Sequence, residues 1–125
     1  MPRAAHRPHA LVADDEPALL SLFTIYLDAE YAFTAVADGA AAEQALLAAP
    51  PFAVAVLDCN MPVMSGPEAL ARARAAGCRV PVLLVSGSSS PPLPDPAADP
   101  LTAFLAKPFT QDQLHAALAA LLPTA

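Results

Sequence analysis

Hydrophobic positions in this chain form four short apolar runs, and each run ends in a polar side chain with useful chemistry. The runs cover residues 10–13, 53–57, 80–85 and 101–106. They are followed in turn by the pair Asp14 and Asp15, by Asp58, by Ser86 and by Lys107. Short apolar runs bounded by polar and turn residues predict buried strands of a parallel sheet. Because such sheets carry their sites outside the carboxyl ends of the strands, we expect these polar side chains to meet.

Apolar positions between the runs recur mainly at helical spacing. The pattern predicts a first helix over residues 16–29, an outer strand over 31–36, a second helix over 41–48 and a third over 65–76. Thr110 and Gln113 form a capping-box pattern, which predicts the start of a last helix. Strands that alternate with helices in this way indicate right-handed crossovers. The predicted fold class is therefore α/β, with a doubly wound parallel sheet of five strands.

One segment, residues 87–100, interrupts the alternation where a helix is due. It contains five prolines, which are Pro91, Pro92, Pro94, Pro96 and Pro100. Each proline inside a helix costs about 3 kcal/mol, so these residues cannot share one. We predict that a proline-rich, extended or polyproline-like loop replaces or shortens the helix between the fourth and fifth strands.

Length and charge narrow the possible classes of protein. The 125 residues suit a single domain over 10–122, preceded by a short flexible tail over 1–9. A net charge of −6 argues against nucleic acid as a partner. No run approaches the roughly 20 apolar residues of a membrane helix, and the charged residues 1–9 lack the apolar core of a signal peptide. We therefore expect a cytoplasmic protein that does not contact membrane. Cys59 and Cys78 are expected to be free thiols.

The predicted acidic cluster suits a divalent cation. Asp14, Asp15 and Asp58 would repel one another strongly if they lay within a few ångströms. Oxygen ligands in a partly hydrated site are the preference of Mg²⁺. The competing interpretation is that Asp15 only caps the first helix and Asp14 is solvated.

Asp58 is the candidate nucleophile, since a carboxylate can attack phosphorus and form an acyl phosphate. Ser86 could then donate a hydrogen bond to a phosphoryl oxygen, and Lys107 could pair with another. The plainer alternatives are a turn residue for Ser86 and a surface amine for Lys107. Lys107 is the only lysine in the chain, however, and it falls between an apolar run and Pro108. That placement favours a functional role.

The chain resembles the receiver domain of bacterial response regulators, including the stand-alone chemotaxis type. The matching segments lie in order between residues 10 and 122 and read LVADDEP, VADGAAAEQAL, LDCNMPVMSG, VSG and FLAKPF. The resemblance implies a flavodoxin-like sheet with strand order 2-1-3-4-5.

The resemblance also implies roles for individual residues. Mg²⁺ would be bound by Asp15, Asp58 and the backbone carbonyl of Asn60, while Asp14 would act through water. Asp58 would be phosphorylated, with Ser86 and Lys107 on the phosphoryl oxygens. Phe104 would be the aromatic switch that moves inward when Ser86 is drawn to the phosphate.

The implied function is that of a phosphoacceptor rather than a conventional enzyme. A histidine kinase or a histidine phosphotransfer protein would supply the phosphoryl group in a two-component or phosphorelay pathway, and a downstream effector protein would bind in response. One alternative is a non-switching pseudo-receiver that serves as a docking module. A phosphatase of the haloacid-dehalogenase type is a further alternative, although it would need an acid at the position of Asn60.

Six positions call for separate expectations. Ser86 stands where threonine is commoner, so it keeps the hydroxyl but lacks the methyl group that fixes the rotamer. Cys59 is expected to be a plain small side chain rather than a redox centre. His115 and the arginines Arg72, Arg74 and Arg79 are expected on solvated helix faces.

Overall fold

The structure is a computed structural model that describes residues 8–28, 30–48, 52–87, 100–107 and 109–121. Its strands are β1 (His9–Ala13), β2 (Ala32–Val36), β3 (Val54–Asp58), β4 (Val82–Ser86) and β5 (Thr102–Ala106). Its helices are α1 (Pro17–Leu27), α2 (Gly39–Leu47), α3 (Gly66–Ala75) and α4 (Gln111–Leu121).

The five strands form one parallel sheet in the order β2-β1-β3-β4-β5, which confirms the predicted fold class and topology. The central strands β1, β3 and β4 each pair on both sides. Their residues are almost wholly buried, whereas those of the edge strands β2 and β5 are mostly half-buried or exposed. This burial explains why the three central strands read as continuous apolar runs.

Alternate residues of the strands pack on opposite faces of the sheet. One core, formed with α2 and α3, includes Leu11, Leu57 and Leu84. The other, formed with α1 and α4, includes Val12, Val56 and Val85. Helices cover both faces of the three central strands, whose carboxyl ends carry the polar residues singled out above.

Side-chain caps fix where three helices begin. Asp38 accepts a hydrogen bond from the Ala41 N–H (2.8 Å) at α2, and Ser65 accepts one from Glu68 (3.2 Å) at α3. Thr110 and Gln113 bond reciprocally at α4, with distances of 3.1 and 2.8 Å, so the capping box is confirmed. Each cap satisfies N–H groups that the first helical turn leaves without an intrahelical partner.

Two predictions fall on parts of the chain outside the described residues. The proline-rich loop is one, because residues 88–99 lie outside them; the described chain contains four helices and has none between β4 and β5. The tail predicted over residues 1–9 is the other, because residues 1–7 lie outside them; its last residue, His9, belongs to β1 and pairs with Ala32. No described helix combines the length and apolar character that a membrane span requires.

Candidate functional site

The carboxyl ends of β1, β3, β4 and β5 bring the predicted polar residues together. Asp14 follows β1, Asp58 and Ser86 are the last residues of β3 and β4, and Lys107 follows β5. Asp14, Asp58 and Ser86 are 0%, 4% and 1% exposed, respectively. Burial of two carboxylates this deep is costly unless each has a partner. The arrangement therefore requires a compensating positive charge.

Lys107 supplies that charge. Its Nζ lies 3.1 Å from Asp58 Oδ1 and 3.3 Å from Asp14 Oδ2, so one ammonium bridges both buried carboxylates. The backbone N–H of Lys107 donates to the Ser86 carbonyl at 2.8 Å, which holds the Lys107 backbone beside the end of β4. The alternative of a free surface amine is thus wrong.

Asp14 and Asp15 occupy different environments. The second oxygen of Asp14, Oδ1, accepts a hydrogen bond from the Glu16 N–H at 2.9 Å, so both of its oxygens are engaged. Asp15 is exposed, and the residue that caps α1 is Glu16, whose side chain makes no capping hydrogen bond. The helix-capping explanation of Asp15 is therefore wrong, and its carboxylate is available to a ligand.

Burial is the largest influence on the pKa of Asp58. Burial, together with the nearby Asp14 charge, raises the pKa of the Asp58 carboxyl, against the lowering effects of Lys107 and the Asn60 N–H. For Lys107, burial alone would lower the pKa, but the hydrogen bond and charge of Asp58, with those of Asp14, raise it on balance. Lys107 therefore stays positively charged. Its single charge offsets only part of the negative charge of Asp58 and Asp14.

The three aspartates fit a hard divalent cation. One oxygen from each of Asp14, Asp15 and Asp58 lies within 4.8 Å of the others. Two of the residues are buried and one is exposed, so a cation here would be held by carboxylates on one side and water on the other. That oxygen-only, partly hydrated donor set is the one Mg²⁺ prefers.

Ser86 and Phe104 lie on one face of the sheet. Ser86 pairs with Ala106, and Leu84 pairs with Phe104, so side chains at these positions share a face. Phe104 is half-buried and packs against the core formed with α2 and α3. The structure thus places the predicted switch aromatic beside the strand end that bears the hydroxyl.

Close backbone contacts shape the loop between β3 and α3. A β-carbon at Gly66 would collide with the backbone oxygen of Asp58, and one at Gly39 would collide with that of Met64. Between these contacts, Val63 has a φ of 70°, a left-handed conformation that strains a β-branched residue. This loop carries Asn60, so its path determines where the Asn60 carbonyl lies.

An apolar cavity of about 380 Å³ adjoins the site. It is lined by Leu19, Leu22, Gly87, Lys107 and Phe109. A larger cavity of about 460 Å³, whose lining includes Phe52, Cys78 and Pro81, lies near the amino ends of β3 and β4. The aspartates are far from that second cavity, so the smaller one is the relevant surface for a group that approaches Asp58.

The prediction of a solvated helix face is wrong for two residues, Arg74 and His115. Arg74 is half-buried and donates to the carbonyls of Cys78 (3.2 Å) and Val80 (2.7 Å) and to Thr102 Oγ1 (3.3 Å). His115 is also half-buried, with Nε2 2.6 Å from the Tyr26 carbonyl. Neither lies on a solvated face, and their spacing on amphipathic helices gave no signal of these contacts.

Comparison with known proteins agrees with this geometry. A regulator of Salmonella typhimurium, the transcriptional regulatory protein TctD, is 39% identical over 99 residues, which cover 74% of this chain and 41% of that protein. The chain thus spans about two fifths of the length of the curated relatives it matches.

Solved structures give the same result. The chemotaxis protein CheY4 of Vibrio cholerae superposes with a TM-score of 0.76 at 30% identity, covering 92% of this chain and 98% of that one. The receiver domain of a sensor histidine kinase of Pseudomonas aeruginosa has a TM-score of 0.72 at 27% identity, covers 89% and 93%, and holds a magnesium ion in its active-site cleft.

The family model for the response regulator receiver domain matches residues 10–119, which is most of the chain. Fold, strand order and the acidic cluster at the strand ends all agree with that match. The chain belongs to the response regulator receiver domain family of two-component systems.

Proposed function

We propose that the chain accepts a phosphoryl group on Asp58 from a phosphohistidine of a histidine kinase or histidine phosphotransfer protein. The contact that carries the proposal is the bridge from Lys107 Nζ to Asp58 Oδ1 and Asp14 Oδ2, at 3.1 and 3.3 Å. It places the single ammonium at the carboxylate that would react, within a cluster suited to a divalent cation.

In the transfer step, an oxygen of Asp58 attacks the phosphorus of the donor. The phosphorus–nitrogen bond breaks as the new phosphorus–oxygen bond forms, and the electron pair stays on the donor imidazole. Lys107 turns from the Asp58 oxygen to a phosphoryl oxygen, and Ser86 donates its hydroxyl hydrogen to another. The ammonium offsets charge that the carboxylate alone would repel.

Magnesium fits the same residues. Asp15, Asp58 and the carbonyl of Asn60 would hold the ion directly, and Asp14 would act through water, since Lys107 and the Glu16 N–H already engage its oxygens. When bound, the ion neutralises negative charge on the carboxylates and the phosphoryl oxygens. The magnesium in the cleft of the Pseudomonas aeruginosa receiver supports this assignment.

The test is phosphorylation by a small donor. We expect acetyl phosphate with Mg²⁺ to add one phosphoryl group, measured by intact mass, and Asp58→Asn to abolish the addition. Asp112→Asn is the matched control, because Asp112 is exposed on α4 and should leave labelling intact. An unmodified wild type under these conditions would defeat the proposal.

Switching is tested separately. Phosphorylation would draw Ser86 toward the phosphoryl group and let Phe104 turn inward on the shared sheet face, which would change the surface seen by an effector protein. We expect beryllofluoride with Mg²⁺ to shift the amide NMR signals of Asp58 and of residues 102–106. A spectrum that does not change would favour the non-switching docking module instead.

A further inference from the structure

Cys59 lies directly beside Ser86 at the end of the sheet. Its N–H donates to the Val85 carbonyl at 2.8 Å, which continues the β3–β4 pairing of Asp58 with Val85 by one residue. Cys59 comes two residues after Leu57, and Ser86 two residues after Leu84, and both leucines belong to the core formed with α2 and α3. Alternation therefore directs Cys59 and Ser86 to the same face.

Both side chains are secluded from water. Cys59 is 5% exposed and Ser86 1% exposed. Burial raises the pKa of the Cys59 thiol, and the charge of Asp58 raises it further. The thiol has a hydrogen bond with the Ser86 side chain, which acts in the opposite direction. A thiol this deeply buried is shielded from oxidants, which favours the contact with Ser86 over redox chemistry as its role.

A serine is less restrained than a threonine at this position. Without the second heavy atom that threonine carries on Cβ, the hydroxyl is held less strongly in one staggered position. Only a position that faces the phosphoryl group is productive. Whatever selects that position lowers the entropic cost of the transfer step.

We propose that Cys59 is a positioning residue for Ser86, whose thiol contact holds the hydroxyl in the productive rotamer and replaces the restraint of a threonine methyl group. This inference rests on the proposed function, because it concerns how the phosphoryl group is received. A thiol is a weak hydrogen-bonding group, so a moderate effect on rate is expected rather than an absolute requirement.

The test compares Cys59→Ala in two backgrounds, with acetyl phosphate and Mg²⁺ and with rates measured by intact mass. With Ser86 present, we expect Cys59→Ala to slow phosphorylation about three- to tenfold, the range of one modest hydrogen bond. In the Ser86→Thr background, where the methyl group restrains the hydroxyl, the same change should alter the rate less than about twofold. Cys78→Ala controls for removal of a thiol elsewhere. The Cys78 thiol donates to the Leu46 carbonyl near the amino ends of β3 and β4, away from Asp58.

Two results would overturn the inference. One is a Cys59→Ala protein that reacts at the wild-type rate. The other is an equal loss in both backgrounds, which would indicate a packing effect. NMR coupling constants for the Ser86 side chain give an independent readout: one dominant rotamer is expected in the wild type and averaging in Cys59→Ala. A wild type that is never phosphorylated would instead defeat the proposed function, so the two failures are distinguishable.

Discussion

At the scale of single residues, Asp58 illustrates how a reactive group can reduce stability. Burial and the charge of Asp14 raise the pKa of Asp58 in the folded chain above the ordinary value of an aspartate. The folded state then binds more protons than the unfolded state between the two pKa values, so stability is lost as the pH rises through that window. Above the folded pKa the penalty is fully present.

We therefore expect Asp58→Asn to increase the free energy of unfolding at pH 7 by an amount on the order of 1 kcal/mol. The advantage should shrink as the pH is lowered from 7 toward 4, because a carboxyl whose pKa is raised in the folded state regains its proton before the unfolded one does. Urea denaturation at both pH values without Mg²⁺ measures the difference. A variant less stable than the wild type at pH 7 would show that the Lys107 contact outweighs burial.

Val63 is a second residue at which the chain carries a local cost. Its φ of 70° is unfavourable for a β-branched side chain, and it is 81% exposed, so little packing compensates the strain. Val63→Asn should increase the free energy of unfolding by about 1 kcal/mol, because asparagine tolerates this conformation. Thermal denaturation measures the change. Val63→Ala should gain less, and equal gains would point to loss of an exposed apolar group instead.

At the scale of elements, Arg74 connects α3 to the starts of β4 and β5. Its guanidinium donates to the Val80 carbonyl at 2.7 Å and to Thr102 Oγ1 at 3.3 Å. We expect Arg74→Ala to lower the free energy of unfolding by about 2 kcal/mol, because several part-buried acceptors lose a charged donor.

Arg72 provides the matched control on the same helix. It makes an ion pair with Glu43 at 3.0 Å, but its side chain is 57% exposed, so solvent screens the interaction. Arg72→Ala should change stability by less than about 0.5 kcal/mol. Urea denaturation of both variants tests the contrast. Similar losses would mean that the Arg74 hydrogen bonds contribute no more than an exposed arginine on the same helix.

Elements and strand ends could be predicted from sequence because they follow from local periodicity. Asp58 and Ser86 lie where β3 and β4 end, and the parallel topology necessarily brings those ends together. Arg74 and His115 could not be predicted, since their partners lie on other elements. Nor does residue type reveal that Lys107 bridges two carboxylates rather than one.

At the scale of the whole molecule, the site is built from the ends of four neighbouring strands, three of which form the buried centre of the sheet. Unfolding must therefore separate the three aspartates. A ligand that requires all of them binds the folded state alone, so its binding free energy adds to the stability of the whole domain.

Magnesium should accordingly stabilise the domain as a whole. We expect the thermal midpoint to rise with Mg²⁺ concentration, with a gain of roughly 1.4 kcal/mol for each tenfold increase above the dissociation constant. The gain arises because the ion offsets repulsion that Lys107 alone leaves among the carboxylates. Asp15→Asn should reduce the shift while leaving the metal-free midpoint close to that of the wild type, since Asp15 is exposed. Calorimetry with increasing MgCl₂, against matched NaCl for ionic strength, measures both quantities. A midpoint that responds equally to the two salts would mean that the three aspartates only repel one another and do not bind a divalent ion.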